Sequence, residues 1–293
     1  MMNVLNKQKK HILASAIYSL FVLFVSTLSQ ATAQSSPTQT LPVPPNTVWL
    51  QDSLFIDKTE IANIHWAEYL QFIRKEVAQK RLTPAFYQTQ TPDTSITVIN
   101  GINRLHHPAY RWQPVVGISY GQALRFCEWR SIVASQVYNQ TNPAPQGLYW
   151  QFTYRLPTTK EWEKAAAGGL DISLYPYGLT HLFAITTKKR VLMHPPTPLI
   201  NYRDHKTKRF SLKKVASYEP NGLGIYQMIG NVAEMTATKG IAKGGSWRHR
   251  KAACKIRKSQ RYFVPDNWVG FRCVCEVKLV DKAKHSTRET EVK

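Results

Sequence analysis

The residues of this 293-residue chain with the most specific chemistry are its four cysteines, Cys127, Cys254, Cys273 and Cys275. A thiolate is a nucleophile and a soft metal ligand, and in an oxidising compartment two thiols form a bridge. Four cysteines allow three pairings, and the sequence does not choose among them. His106 and His107 are adjacent, but neighbouring side chains on an extended chain point to opposite sides, so the pair reads as loop rather than as a metal site. A longer stretch runs from Lys243-Gly-Gly-Ser-Trp247 to Gly270-Phe-Arg-Cys273. Gly244 and Gly245 imply a turn that a Cβ would obstruct. A basic run follows, with Arg248, Arg250, Lys251, Lys255, Arg257, Lys258 and Arg261, and Asp266 is the only carboxylate between Lys243 and Arg272. Trp247, Tyr262, Phe263 and Trp268 are interleaved with these charges. Arginine mixed with aromatics is the composition of binding-surface centres, which makes Trp247, Arg248, Arg250 and Lys251 candidate partner-binding residues.

The elements that must position these residues are few. Val48 to Ile56 reads as a short strand. Asn63 is an N-cap candidate for a helix to about Val77, whose apolar face carries Trp66, Tyr69, Leu70, Ile73 and Val77. Residues 79–112 are polar and proline-punctuated, with a strand-like Ser95 to Ile99. Ser119 caps a second helix with a buried stripe of Tyr120, Ala123, Leu124 and Cys127. Thr158 and Glu161 form a capping box for a third, which Gly168-Gly169 ends. Residues 188–214 are irregular and basic, and Asn221 to Glu234 alternates glycine with apolar residues, implying tight buried turns. Few helices and many irregular segments point to an α+β domain held by loops.

The N-terminus reads as an export signal over residues 1–33. Lys7, Lys9 and Lys10 precede an apolar run from Ile12 to Leu28, and Ala31-Thr-Ala33 supplies the small residues of a cleavage site. The rival reading is an uncleaved membrane anchor. No cysteine lies before Cys127, so a lipid-modified N-terminal cysteine is not available. Loss of the three lysines takes the formal charge from +21 to +18. Such an excess implies an acidic protein surface or an anionic glycan or lipid, and export argues against nucleic acid. Residues 34–47 read as a flexible leader, 48–276 as one domain and 277–293 as a charged, mobile tail.

Several segments, in order, resemble the sulfatase-modifying-factor domain of formylglycine-generating enzymes. They are Asp57-Lys-Thr-Glu-Ile-Ala-Asn63, Pro114-Val-Val-Gly-Ile-Ser-Tyr120, Phe126-Cys-Glu-Trp129 and Arg155-Leu-Pro-Thr-Thr-Lys-Glu-Trp-Glu163, followed by Gly222 to Glu234, Gly244-Gly-Ser-Trp247 and Gly270-Phe-Arg272. The resemblance covers about residues 48–276 and implies a formylglycine-generating-enzyme fold, related to C-type lectins. The loop with Thr91-Pro-Asp-Thr94 and His107-Pro-Ala-Tyr110 is similar to the branch containing gliding-motility lipoproteins and ring components of the type nine secretion system, which are structural.

The catalytic members hold copper(I) between two cysteines, because soft thiolates select that ion. The matching positions here are His249 and Cys254, so one thiol is missing, which argues against copper and retained oxidase activity. The resemblance implies a disulfide between Cys127 and Cys273, leaving Cys254 and Cys275 to pair or stay free. It also implies a calcium site at Gln227, Gly230, Val232 and Glu234, with pairing of Glu234 to an arginine as the competing account. A second calcium site, starting at Asn201-Tyr202, lacks its acidic partner. The expectation is an exported, non-catalytic structural or binding component of an envelope assembly, with homo- or hetero-oligomerisation open. The alternatives are a copper-dependent oxidase and a lectin-like module for polyanions or glycans.

Overall fold

The computed structural model describes residues 41–181, 200–203 and 211–282. The export signal and residues 34–40 of the leader lie outside them, as do most of the charged tail and much of the basic 188–214 segment. The compact unit begins at Pro42. Pro42 and Pro44 are buried, and Thr47 Oγ1 donates to the Pro44 carbonyl (2.7 Å), so the end of the expected leader is packed against the domain.

The expected strand at 48–56 is a hairpin, β1 Thr47–Gln51 and β2 Leu54–Asp57, turning at Asp52, which adopts φ 42°. Helix α1 spans Asn63–Ala78 and buries Trp66, Tyr69, Leu70 and Ile73, the face read from the spacing. Its N-cap is Ala62 rather than Asn63. The Asn63 amide is drawn away to donate to the carbonyls of Tyr110 (3.0 Å) and Arg104 (3.4 Å), fastening the next loop.

That loop has more order than its polarity suggests. It contains α2 Pro84–Gln90, capped by Thr83, and a single helical turn α3 Thr94–Thr97, which Asp93 starts by accepting from Ser95 N. The expected strand at 95–99 is thus shortened to β3 Val98–Ile99, paired with β4 Ile102–Asn103. The Asn100-Gly101 turn between them has positive φ at both residues (51° and 75°), the requirement of a two-residue type I′ hairpin. His107 Nδ1 accepts from Ala109 N and caps a 3₁₀ turn at Pro108–Tyr110.

Helix α4 spans Tyr120–Thr141 with the Ser119–Gln122 capping box complete on both sides. Strand β5 is Leu148–Arg155, and α5 Thr159–Ala167 starts at the Thr158–Glu161 box and stops at left-handed Gly168. The C-terminal part supplies β6 Ala233–Met235, β7 Ile241–Lys243, a 3₁₀ turn at Lys251–Cys254, β8 Ser259–Arg261, β9 Val269–Gly270 and β10 Val274–Asp281.

Two four-stranded sheets result, β1-β2-β10-β5 and β8-β7-β6-β9, beside the β3-β4 hairpin. The second contains one parallel pair, β6 with β9. The domain boundary expected at 276 falls inside β10, because Val277 to Asp281 pair with β5 from Phe152 back to Leu148. The main core lies between the first sheet and helices α1 and α4. Trp66 stacks on Phe126 (5.4 Å, 8°), and Phe271 meets both edge-on. A second cluster packs Trp162, Ala165, Ala166, Met228, Ile229, Cys254 and Ile256 on the other side of Val274.

Candidate functional site

The glycine pair that ends β7 lets three segments meet. Gly244 has φ 86°, and a Cβ there would lie 2.5 Å from the Met228 carbonyl oxygen. Gly245 has φ 68°, and its Cβ would lie 2.5 Å from Cys254 Sγ. The backbone then turns through Ser246, whose Oγ is 2.7 Å from His249 Nδ1 and accepts from Arg248 N. The His249 ring packs edge-on against Trp268 (4.9 Å), and burial, then the Arg248 charge, hold its pKa below the usual value.

His249 therefore turns towards Ser246 and Trp268, whereas Cys254 is fully buried against Gly245 in the second core cluster. Burial pushes its thiol up to about 12, so with no cation beside it the group is protonated at neutral pH. Among the described residues, no three of His, Cys, Asp and Glu come together as a metal cluster. In this arrangement Cys254 packs in the second core cluster and His249 shares a hydrogen bond with Ser246.

Arg272 anchors a second constellation, a buried ionic network. It is fully buried; its Nε and Nη2 donate to the two Glu234 oxygens (2.7 and 2.6 Å), and Nη1 and Nη2 to the carbonyls of Asp57 and Tyr226. Trp162 Nε1 donates to the same carboxylate at 2.7 Å. Nearby, Asp57 takes two bonds from Arg130 (both 2.8 Å) and one from Cys273 N. Glu60, also fully buried, accepts from Asn231 Nδ2 through one oxygen while the other has no partner; burial drives its pKa up to about 8 against the pull of Arg272.

This network already occupies side chains expected to hold calcium. Glu234 was to be the carboxylate donor, but both its oxygens face the Arg272 guanidinium, and a divalent cation at that point would meet a positive charge. Gln227 is directed to the Lys214 carbonyl through Nε2, its Oε1 buried without a partner, and Gly230 packs against the Asn201 backbone. Asn201, start of the other expected site, donates to Asn231 Oδ1 and the Ser211 carbonyl. The donor set does not fit calcium.

The basic run is exposed in its charges and buried in its frame. Arg248, Arg250, Lys251, Lys255, Arg257, Lys258 and Arg261 are exposed, while Cys254, Ile256, Gln260 and Tyr262 face inward. Arg248 pairs with Asp266 at 3.0 Å, and among the described residues no carboxylate lies within ion-pair distance of the other six. Lys243, which opens the same stretch of sequence, is buried and bound to Glu163 (2.7 Å). Trp247 is half-buried, and its indole donates to the Asn267 carbonyl.

Cys127 and Cys273 face one another in the main core, their sulfurs 3.5 Å apart and unbonded. Cys254 and Cys275 belong to separate clusters and are not brought together.

The model of the sulfatase-modifying factor enzyme 1-like domain matches residues 24–277. The chain belongs to this family. Its sulfatase-modifying-factor domain is 26% identical over 211 residues to the formylglycine-generating enzyme of Mus musculus, covering 63% of this chain and 47% of that protein. It is 28% identical over 187 residues to the inactive C-alpha-formylglycine-generating enzyme 2 of Bos taurus, covering 55% and 49%. The formylglycine-generating enzyme of Thermomonospora curvata is 26% identical over 194 residues, 56% of this chain and 55% of that one. The chain spans about half the length of the curated relatives it matches. The solved structure of PvdO from Pseudomonas aeruginosa overlaps 76% of this chain and 80% of that one, with a TM-score of 0.48 and 16% identity. The mixed α+β architecture with few helices and strands stands on the elements described above.

Proposed function

We propose that this sulfatase-modifying-factor domain is an exported, non-catalytic binding component of an envelope assembly, of the gliding-motility or type nine secretion kind. The observation that carries the reading is the division within one segment. Cys254 is sealed in the core as a thiol and His249 is turned elsewhere, while the same segment exposes seven cations with one carboxylate beside them. Oxygen activation on copper needs a clamp of two soft anions, which this geometry does not offer. An array of unpaired cations supported by rigid backbone suits an acidic partner surface and steers its approach. Two of the similar curated proteins are themselves named inactive formylglycine-generating enzymes, which supports the non-catalytic part of the reading.

The test is in-cell crosslinking with identification of partners, comparing the native chain with the triple charge reversal Arg248→Glu, Arg250→Glu, Lys251→Glu. The expected outcome is loss of one or more envelope proteins at unchanged protein level. An unaltered set of partners would remove the proposal.

A further inference from the structure

A cleft of about 520 Å³ lies beyond the Gly-Gly-Ser-Trp frame, where the N-terminus of α4 meets the chain leaving β8. Its volume is that of a site for a small molecule or a few peptide residues. The floor is the first turn of α4, a 22-residue helix, at Tyr120 and Gly121. Ser119 and Gln122 satisfy each other there, which leaves the N–H groups of Tyr120 and Gly121 directed out of the helix end, with the positive pole of the helix behind them. Lys239, exposed at the rim, adds a full charge. Tyr262 supplies the independent signal: the residue is 6% exposed, lines the cleft, and its buried hydroxyl has no hydrogen-bond partner among the described residues. A buried phenol without a partner is costly unless a ligand completes it.

The other wall is apolar and has an open backbone. Phe263 and Val264 are 88% and 67% exposed, and Tyr120, which also lines the cleft, already uses its hydroxyl on the Ala237 carbonyl. Tyr262 N still bonds to the carbonyl of Gly240, the residue just before β7. Beyond it, among the described residues, Phe263 and Val264 make no backbone hydrogen bond. Exposed large apolar side chains next to unpaired backbone just past an edge strand are the elements by which a sheet edge takes up an extended peptide.

We infer that this cleft binds an extended peptide segment whose carboxylate, next to an apolar side chain, sits between the α4 N-terminus, Lys239 and Tyr262 Oη, while its backbone lies along Phe263–Val264. The inference does not depend on the basic-face reading above, since none of the cleft residues is among the three cations reversed there. The carboxylate belongs either to a chain terminus or to an acidic side chain, two sources with the same chemistry.

The experiment is fluorescence anisotropy on the native chain with a labelled hexapeptide ending in Val-Phe with a free C-terminus. The same peptide amidated, and an amidated peptide with an internal Asp before Phe, form the other two arms. Saturable binding of the free acid, weakened about tenfold or more by amidation, is expected from the loss of a charge-assisted contact. Tyr262→Phe is expected to weaken it about threefold to tenfold, the scale of one hydrogen bond. Lys239→Met, a surface change that leaves the core untouched, is expected to shrink the acid–amide difference, and circular dichroism checks that both variants are folded. Retained binding of the internal-Asp amide assigns the carboxylate to a side chain, and its loss assigns it to the terminus. Equal binding of acid and amide, absence of saturable binding of all three peptides, or native affinity in both variants overturns the inference. Arg248→Glu, Arg250→Glu, Lys251→Glu is expected to bind the peptide as the native chain does, so the two proposals fail separately.

Discussion

Glu60 is the residue whose environment differs most from its sequence context. In Lys58-Thr-Glu-Ile-Ala62 it looks like an ordinary surface acid, yet it is buried beside Arg272, Glu234 and Asn231, with one oxygen unpaired. Burial lifts its pKa from 4.5 to about 8, so the folded protein keeps a proton that the unfolded chain has released over that window. Stability contributed at this site is therefore lost as pH rises from about 4.5 to about 8. His65 and His249 act with the opposite sign, since burial lowers both and their neutral forms favour folding as pH rises towards 6.5. Comparing Glu60→Gln with the native chain isolates the carboxyl. The expected outcome is a smaller loss of melting temperature between pH 5 and pH 8 in the variant, measured by calorimetry. Parallel pH profiles would show that another group holds the proton.

At the scale of elements, β5 is an edge strand whose outer side is finished by side chains rather than by another strand. Ser131, Ser135 and Asn139 occur one turn apart on α4. They accept from the N–H groups of Tyr154 (2.8 Å), Phe152 (3.0 Å) and Trp150 (3.0 Å), and Asn139 also donates to the Trp150 carbonyl. The three polar residues close the unpaired edge that would otherwise template aggregation. Ser135→Ala is expected to cost about 1–3 kcal/mol, because it strands the buried Phe152 N–H. Urea unfolding measures this, and a change below about 0.5 kcal/mol, the scale of a neutral surface substitution, would mean that water replaces the hydroxyl. The four-residue spacing was visible in the sequence. Its meaning was not, because serine and asparagine on a helix are ordinarily solvated and only the position of β5 makes them partners.

For the whole molecule, closure depends on β10, the C-terminal strand, which pairs with β2 on one side and β5 on the other and so joins the N-terminal hairpin to the middle of the chain. Cys273 leads into that strand and faces Cys127 of α4 across 146 residues of chain. A bond between them would close this loop and, in the chain-entropy model, stabilise the fold by about 4–5 kcal/mol. The melting temperature of oxidised protein is expected to fall on reduction, and Cys127→Ser to abolish that difference while Cys254→Ser and Cys275→Ser leave it unchanged. Loss of the difference on Cys254→Ser instead would reassign the bridge.

Local rules acting within a few residues were legible in the sequence. The capping boxes at Ser119 and Thr158, the apolar face of α1 and the stop at Gly168 follow from side-chain period and hydrogen bonds between near neighbours. The Asn100-Gly101 hairpin was equally readable but lay hidden in a segment judged by its polarity. The family was legible as well, because its motifs sit where backbone meets backbone: Gly244 and Gly245 can only be glycine if Met228 and Cys254 pack there. What tertiary structure alone decided was the fate of charge. Glu234 is bound to Arg272 rather than open to a cation, Lys243 is internal, and Lys255, Arg257 and Arg261 are exposed. Electrostatic partners are chosen across 38 or 80 residues by the fold, and burial sets protonation. The segment from Lys243 to Cys273 therefore carries the glycine frame of the family in its sequence, and the structure seals the Cys254 thiol and buries Lys243 and Arg272 while turning the cations from Arg248 to Arg261 outward.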